Sequence, residues 1–401
     1  MSVLNVPVSS RQIVPDNIKI SISGDEQPCY IGSTLCMYLN RVKILIDNYL
    51  MEWDNVKKVT NTYEYIHTIM PHRKHSISKY KPLSRAFFKL VEICNTLNIF
   101  DKYTDCPITT FHLAEGPGGF MEAMTHLRDN PGDVYNGMTL LDDTDSKIPG
   151  WKNSELFLIK TKNINIERGV DGTGNLYSIE NLDYCKEKYG NSVDFITADG
   201  GFDFSIDFNR QELVAIKLIL AEVIYALIMQ KLGGTLVIKV FDNFLKATID
   251  IIYLLTCHYD SVKIIKPDTS RIANSERYIV CTGLNKIIDD DLFNKLREVL
   301  NVMGDDNTCS LLDIPLPYKF IKMIEEANAV MAARQIDNIR TTIRFIENKE
   351  RKGEKMRQLR DVNIKKCVTW CELNDIPHHT INMTYNTFKP DVRKQRTHTF
   401  G

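Results

Sequence analysis

The chain has 401 residues, of which 43% are hydrophobic and 25% are charged, and its formal net charge is −1. A chain of this length and composition can form one large globular domain with extensions, or two domains. It has neither a long uninterrupted apolar run nor an apolar stretch behind a basic start, so we expect neither a membrane-spanning segment nor a secretory leader.

The near-zero net charge conceals an uneven distribution. Residues 318–401 hold 17 Lys and Arg against 10 Asp and Glu, and the rest of the chain is acidic. Between Pro71 and Lys89 there are six basic residues and no acidic ones. Such local patches attract a polyanion in spite of the neutral total.

The first 70 residues predict an N-terminal arm and an accessory helix. Residues 1–28 are polar and weakly patterned, which is typical of a surface arm. Residues 35–53 carry apolar side chains at helical spacing and predict the accessory helix. The basic segment that follows ends in a second predicted helix, residues 83–97.

Residues 71–290 predict an α/β domain, because strand and helix patterns alternate from residue 110 to residue 284. Predicted strands cover residues 110–113, 135–140, 157–160, 193–198, 235–241, 262–265 and 277–281. Predicted helices cover residues 120–128, 211–231 and 244–259. The sheet should be mostly parallel, but the link between the last two strands is too short for a helical crossover, so we expect that pair to be antiparallel.

Residues 291–401 predict a helical, basic C-terminal extension. Isoleucines at positions 336, 339, 343 and 346 follow steps of 3, 4 and 3, the spacing of one helix face. Cys367, Cys371, His378 and His379 could suggest zinc, but a C-x-x-x-C spacing without a second cysteine pair is not a usual zinc motif. We therefore predict no metal site.

The segment HLAEGPGGF, residues 112–120, follows a short strand and opens a helix. Gly116, Gly118 and Gly119 would let backbone approach a ligand closely, and the helix N-terminus offers free N–H groups. The same glycines also suit any tight connection from strand to helix, so both interpretations stay open. The spacing is not G-x-G-x-x-G, which disfavours a nicotinamide dinucleotide.

Four polar residues stand where predicted elements begin or end. Asp199 ends an apolar strand before two glycines, at the edge where open α/β sheets bind ligands, although such an Asp can also simply make a turn. Lys239 interrupts an apolar strand, and a buried lysine is costly unless it is paired or functional. Lys89 lies in SRAFFKL, and Glu276 lies at a junction between loop and strand.

Seven segments resemble, in order, those of the FtsJ-like ribose 2'-O-methyltransferases, and more closely those of the cap-specific mRNA (nucleoside-2'-O-)methyltransferases. They are SRAFFKL, EGPGGF, GMTL, GVDGTGNLYSIENL, TADGGFD, LVIKVFD and KPDTSRIANSERYIVCTGL. The resemblance covers residues 84–284, about half of the chain. It implies a Rossmann-like, S-adenosylmethionine-dependent methyltransferase sheet with helical N- and C-terminal extensions.

The resemblance also implies roles for particular residues. The family's catalytic tetrad falls on Lys89, Asp199, Lys239 and Glu276. S-adenosylmethionine would be held by Glu115, Gly116, Pro117, Gly118, Gly119, Phe120, Asn175, Leu176 and Asp199. RNA would be held by Asn209, Arg210, Gln211 and Asn274, and by the basic side chains of Arg73, Lys74 and Arg85. For residues 209–211 the alternative is a helix cap with Asn209 as the capping residue.

Two positions depart from the family pattern. His112 stands where the family usually has an acidic residue that holds the methionine amino group; Glu115 or a backbone carbonyl could replace it. Asn175 stands where an Asp usually accepts from the adenine amino group, and an Asn oxygen accepts without charge assistance.

The resemblance implies that Lys239 removes the proton of a ribose 2'-hydroxyl, for which the lysine must be neutral. Lys89 and Glu276 would orient the hydroxyl and Lys239, and Asp199 would face Lys239 and the cofactor. Burial and Lys89 lower the pKa of Lys239 whereas the two carboxylates raise it, so the sequence does not give the sign of the shift.

The expected substrate is a cap-proximal nucleotide of capped mRNA. The first alternative is ribosomal or transfer RNA, and the second is an inactive RNA-binding or scaffold subunit with the same fold. The C-terminal extension could bind other capping or transcription components.

We expect an intracellular protein of the cytoplasm or nucleus, because ten cysteines spread singly through the chain predict reduced thiols. Large DNA viruses encode proteins of this group, and a viral source would place the protein in the virion or the viral factory.

Overall fold

The structure is a computed structural model that describes residues 1–23, 27–71, 73–104, 106–142, 144–145, 148–201, 208–304, 307–348 and 353–381. The strands are β1 (Ser2–Val6), β2 (Ile18–Ile22), β3 (Thr109–Leu113), β4 (Val134–Met138), β5 (Ile164–Glu167), β6 (Val193–Ala198), β7 (Gln230–Phe241), β8 (Tyr259–Lys266), β9 (Glu276–Leu284) and β10 (Thr308–Leu312). The helices are α1 (Ser33–Ile44), α2 (Leu50–Thr60), α3 (Ala86–Thr96), α4 (Gly119–Arg128), α5 (Glu155–Lys160), α6 (Ile179–Tyr189), α7 (Gln211–Met229), α8 (Lys246–Thr256), α9 (Asp290–Val302), α10 (Tyr318–Glu347) and α11 (Gly353–Leu373).

The main sheet has the strand order β1-β8-β9-β7-β6-β3-β4-β5. Strands β3 to β7 pair in parallel, whereas β9 pairs antiparallel with both β7 and β8. The predicted α/β fold with a mostly parallel sheet and an antiparallel last pair is therefore confirmed. The carboxyl ends of β3, β6 and β7 meet at one edge, where sheets of this kind bind ligands.

Apolar cores cover both faces of the sheet. Along β7, Leu236 and Ile238 point into the core formed with α7 and α8, and Val237 points into the core formed with α3 and α4. This alternation follows from the period of two of a β-strand. It places Lys239 on the same face as Val237, toward α3.

One predicted strand is wrong. Residues 157–160 lie in α5, and the strand that pairs with β4 is β5, at Ile164–Glu167. The segment ELFLIK is a short apolar run whose periodicity does not separate helix from strand. Helix α6 was not predicted.

The predicted surface arm is also wrong for its first residues. Strand β1 pairs antiparallel with β8 and covers that edge of the main sheet, and β2 pairs with β10. The single predicted accessory helix is two helices, α1 and α2, joined by a 3-10 turn at Leu45–Tyr49. Backbone hydrogen bonds to partners distant in sequence, which a local pattern does not report, fix both β1 and β2.

The C-terminal helices pack onto the rest of the chain. Ile339 and Ile343 of α10 share a core with Trp53 of α2, and Trp370 of α11 lies against Phe88 of α3 with ring centroids 5.9 Å apart. Contacts thus cross the boundaries expected at residues 70 and 290. The division into segments 1–70, 71–290 and 291–401 stays a prediction.

The cysteines differ in part from the expectation of reduced thiols. Cys29 and Cys36 form a disulfide, because the turn before α1 brings their side chains together. The other eight cysteines are free, and Cys94, Cys257 and Cys281 are buried among apolar side chains. Among the helices described, none is long and apolar enough to cross a membrane.

Candidate active site

Four elements bring the predicted tetrad together. Lys89 comes from α3, Asp199 follows β6, Lys239 lies in β7 and Glu276 begins β9. In the antiparallel ladder between β7 and β9, Glu276 pairs with Phe241 and Tyr278 pairs with Lys239. This register sets the side chains of Lys239 and Tyr278 beside each other on the face toward α3.

The tetrad forms one hydrogen-bonded network through Tyr278. The Nζ of Lys89 donates to Glu276 Oε2 at 2.7 Å and to the Tyr278 hydroxyl at 3.3 Å. That hydroxyl donates to Asp199 Oδ1 at 2.8 Å. The Nζ of Lys239 donates to the backbone oxygen of Asp199 at 2.7 Å and lies 3.4 Å from its Oδ1.

The electrostatics of this network determine the charge of Lys239. Burial alone lowers the pKa of Lys239, but the carboxylates of Asp199, Glu276 and Glu222 together outweigh burial and raise it. Burial likewise opposes ionisation of Glu276, but Lys89 and Lys239 hold its pKa well below the usual range. In the free protein Lys239 is therefore an ammonium and Glu276 a carboxylate.

A buried lysine supports the loop that carries Glu276. The Nζ of Lys266 donates to Asn274 O at 2.8 Å, to Asn274 Oδ1 at 2.9 Å and to Glu276 O at 2.7 Å. Ser270 Oγ donates to Glu276 Oε1 at 2.8 Å. Burial is the main reason that the pKa of Lys266 falls to about 7. The side-chain oxygen of Asn274 therefore holds this loop, and its contact with RNA stays a prediction.

The glycine turn is closely packed. A Cβ on Gly116 would lie 2.5 Å from Gly150 O, and Gly118 has a φ of +98° where the chain enters α4. These positions require glycine for packing and conformation, so the structural interpretation of the turn is confirmed at both. Pro117 O accepts a hydrogen bond from Ser154, and Phe120 is buried with its ring 5.7 Å from that of Tyr278.

Glu115, at the start of this turn, has one carboxylate oxygen that is not satisfied. Thr197 donates to its Oε1, whereas Oε2 receives no hydrogen bond of ordinary geometry from the residues described and lies 3.3 Å from Nδ1 of His112. Burial lowers the pKa of His112 to about 3, so its ring is neutral, and burial raises the pKa of Glu115. A buried carboxylate oxygen without a donor fits a cationic group of a ligand.

The second predicted cofactor segment adjoins the turn. The Gly116 amide donates to the hydroxyl oxygen of Thr139 at 3.2 Å, and a Cβ on Gly174 would lie 2.1 Å from Thr139 O. Asn175 Oδ1 already accepts from the Tyr177 amide at 2.9 Å, which leaves one lone pair for a ligand. The neighbouring Leu176 is buried.

The predicted RNA-binding residues are distributed over two regions. Asn209 lies in a 3-10 turn and Arg210 occupies the cap position of α7 without a side-chain cap bond, so Asn209 is not the predicted helix cap. Gln211 is buried in the first turn of α7. Arg73 and Lys74 are exposed in the basic segment between Pro71 and Lys89.

Arg85 is half-buried near the tetrad. Its Nη2 donates to Thr269 O at 3.1 Å, and its Nη1 lies 3.9 Å from Glu64. Glu64 in turn accepts two hydrogen bonds from Arg271, at 2.7 and 3.1 Å. Two arginines thus share one carboxylate, which leaves a local excess of positive charge.

The sequence analysis missed Tyr278 and Glu222. Tyr278 stands two residues after Glu276, so strand periodicity alone could have placed it on the face of the tetrad. Glu222 is the lone charge in the apolar stretch LILAEVIYALIM of α7, and it is buried. Within the described ranges, no group of three or more His, Cys, Asp or Glu residues is arranged to hold a metal ion.

The sheet is a Rossmann-like fold, and the glycine turn and the lysine-carboxylate network form a candidate active site at its carboxyl edge. Residues 82–284 match the model of the FtsJ-like methyltransferase family, and the chain belongs to that family.

Among curated proteins, the chain is similar to three methyltransferases of this group. It is 32% identical to Cap-specific mRNA (nucleoside-2'-O-)-methyltransferase 1A of Caenorhabditis briggsae, over 62% of this chain and 30% of that protein. It is 27% identical to Cap-specific mRNA (nucleoside-2'-O-)-methyltransferase 2 of Drosophila melanogaster, over 67% of this chain and 41% of that protein. It is 29% identical to the Inactive cap-specific mRNA (nucleoside-2'-O-)-methyltransferase 1B of C. briggsae, over 62% and 31%. In each case the chain spans less than half the length of the relative.

Proposed function

We propose that the protein transfers a methyl group from S-adenosylmethionine to the ribose 2'-hydroxyl of a cap-proximal nucleotide of mRNA. The observation that carries this proposal is the convergence of Lys89, Asp199, Lys239 and Glu276 in one network at the sheet edge beside the glycine turn. The names of the similar proteins supply the substrate class.

Glu115, the glycine turn and the segment at Asn175 are the residues that would hold the cofactor. The unsatisfied Oε2 of Glu115 fits its ammonium group, and Asn175 has a lone pair for its adenine amino group. When bound, the cofactor supplies a methyl group on a positive sulfur, which leaves to the protein only alignment and removal of a proton.

Lys239 is the proposed base. Its ammonium form in the free protein must lose a proton before it can accept one from the ribose, and a cation bound nearby favours this loss. Lys89 and Glu276, paired at 2.7 Å, orient the hydroxyl and Lys239. Asp199 keeps Lys239 directed toward the cofactor side through contacts at 2.7 and 3.4 Å.

The RNA backbone would follow the basic surface that includes Arg73, Lys74 and Arg85, and the other proposed RNA contacts are Asn209, Arg210, Gln211 and Asn274. Binding that depends on phosphate contacts weakens steeply with salt. Contact of the C-terminal helices with other capping or transcription components, and a location in the cytoplasm or nucleus, stay predictions.

The first test measures transfer of a tritiated methyl group to capped and uncapped versions of the same short RNA. We expect transfer to the capped RNA and a loss of at least about 10²-fold in Lys239→Ala, since general base catalysis contributes on that order. Calorimetry should show that this variant still binds S-adenosylmethionine.

Lys263→Ala is the matched control, because Lys263 is a lysine of β8, separated from β7 by β9, and its Nζ bonds only to Ser261 at 2.8 Å among the contacts described. It should transfer normally. Wild-type activity in Lys239→Ala would end the assignment of the base, and equal transfer to both RNAs would favour ribosomal or transfer RNA as substrate.

A second candidate is an inactive RNA-binding subunit of the same fold. One similar protein carries the word inactive in its name, and His112 and Asn175 depart from the family pattern. The complete network of the tetrad disfavours this candidate. An increase in melting temperature on adding S-adenosylmethionine would count against it, and RNA binding without any cofactor binding would support it.

A further inference from the structure

The sheet edge at the glycine turn contains more buried carboxylates than buried cations. Lys89 and Glu276 form a pair at 2.7 Å and neutralise each other. Lys239 then remains beside three carboxyl groups, those of Asp199, Glu115 and Glu222. If all are ionised, the site carries two uncompensated negative charges, which is costly in a buried place.

Glu222 is the member of this group that the proposed reaction does not use. It comes from the middle of α7 and is only 1% exposed. A Cβ on Gly200 would lie 2.4 Å from Glu222 Oε1 and 3.0 Å from the Ala114 Cβ, so the carboxyl lies against the backbone just after β6 and beside the end of β3. Its Oε1 accepts no hydrogen bond from any residue described.

Gly200 and Gly201 separate Glu222 from Lys239. A Cβ on Gly201 would lie 3.1 Å from the Lys239 Nζ, so the lysine lies against one part of the two-glycine segment and Glu222 against the other. The Gly200 amide donates to Glu222, and burial is the main cause that raises the pKa of Glu222. The same cause raises the pKa of Glu115. Lys239 is the positive group near both carboxyl groups, but it does not outweigh burial, so burial favours their neutral form in the free protein.

A ligand could supply the missing charge. S-adenosylmethionine has a positive sulfur and an ammonium group, whereas the product S-adenosylhomocysteine keeps the ammonium group and has a neutral sulfur. A buried negative charge acts over several ångströms in a medium of low polarity, so a carboxylate need not touch the sulfur to favour its positive form.

We propose that Glu222, together with Glu115, supplies buried carboxyl groups that ionise when a positive ligand enters, so that this site binds the sulfonium cofactor more tightly than the demethylated product. Glu115 acts on both ligands, since both have the ammonium group, and Glu222 acts mainly on the sulfonium. The inference rests on the proposed function, because it assumes that the site holds S-adenosylmethionine.

The decisive variant is Glu222→Gln. Glutamine keeps the size of the side chain and an oxygen for the Gly200 amide, but it removes the charge. We expect calorimetry to show S-adenosylmethionine bound about tenfold more weakly and S-adenosylhomocysteine changed by less than about twofold. Sinefungin, which has an amine in place of the sulfonium, should follow S-adenosylmethionine.

Glu212→Gln is the matched control. Glu212 is a buried carboxyl of the same helix, but it accepts from the amides of Phe244 and Leu245, at 3.0 and 2.9 Å, away from the glycine turn. Its substitution should leave the affinity ratio of the two ligands unchanged. Melting curves with and without S-adenosylhomocysteine show whether each variant is folded.

An equal loss of affinity for both ligands in Glu222→Gln would make Glu222 a structural residue and overturn the inference, as would no change for either. Failure of the wild-type protein to bind S-adenosylmethionine at all would instead contradict the proposed function. The two failures are therefore distinguishable.

Discussion

The proposed base, Lys239, carries the wrong protonation state for the reaction in the free protein. Asp199, Glu276 and Glu222 raise its pKa against the effect of burial, so the ammonium dominates at neutral pH. The reactive neutral form gains population as the pH rises toward that pKa. The rate of methyl transfer should therefore increase with pH over the range in which the protein stays folded.

This pH dependence can be measured as kcat between about pH 6 and 9. The pH range over which kcat rises reports the pKa of the base in the enzyme–substrate complex. Lys239→Arg is the informative comparison, since arginine keeps the positive charge but does not deprotonate in proteins. It should be inactive at every pH while it still binds the cofactor. A rate that does not change with pH, or activity in the arginine variant, would assign the base to another group.

Among individual residues, the sequence analysis predicted Lys239 and Asp199 and missed Tyr278, the residue that links the tetrad. Lys239 interrupts an apolar strand and Asp199 precedes two glycines. Each of these local patterns is unusual enough to be recognised without the rest of the fold. Tyr278 is an ordinary strand residue by composition, and only the register of β7 against β9 brings its hydroxyl to Asp199 and Lys89. Such a contact depends on pairing between distant segments, which local patterns do not contain.

The end of β7 is fixed by three other elements. Asp242, which follows the strand with a φ of +50°, is buried and paired with Lys43 of α1 at 2.7 Å. Arg277 of β9 lies 3.7 Å from the other oxygen of Asp242, and Asn328 of α10 donates to Asn243 O at 2.7 Å. Helices from both ends of the chain thus hold the strand that carries the base.

Lys43→Met should therefore destabilise the protein by about 3–5 kcal/mol, because it leaves a buried carboxylate with only a distant partner. Urea denaturation of the variant and the wild type measures this difference. Lys19→Met is the comparison, since Lys19 pairs with Asp313 at 3.3 Å on the surface and its loss should cost less than about 1 kcal/mol. Similar costs for both variants would show that the Lys43 pair does not fix the end of β7.

The same elements show where prediction from sequence fails. Strand β6 was predicted with its observed ends because a run of six residues, four of them apolar, stands between turns. Residues 157–160 were assigned to a strand, although they lie in α5, because four residues do not establish a period. Strand β1 was missed because its residues form a strand by pairing with β8, which lies more than 250 residues away in the chain.

The C-terminal helices complete the core under the active site. Cys367 and Trp370 of α11 belong to the same apolar cluster as Phe87 and Phe88, which directly precede Lys89 in α3. Trp370 is only 5% exposed. Helix α11 thus covers α3, so this part of the extension serves the fold even if it also binds a partner.

Trp370→Ala should destabilise the whole molecule by about 3–5 kcal/mol, since it opens a large cavity against α3. Because α11 and α3 share one core, urea unfolding followed by circular dichroism and by tryptophan fluorescence should give coincident transitions in the wild type and in the variant. Ser261→Ala on β8 provides a surface comparison with little expected cost. If α11 were an independent unit, the wild type would show a separate early transition in the fluorescence of Trp370, and methyl transfer would persist after that transition. The packing of Trp370 on Phe88 predicts instead that activity and the α/β core are lost together.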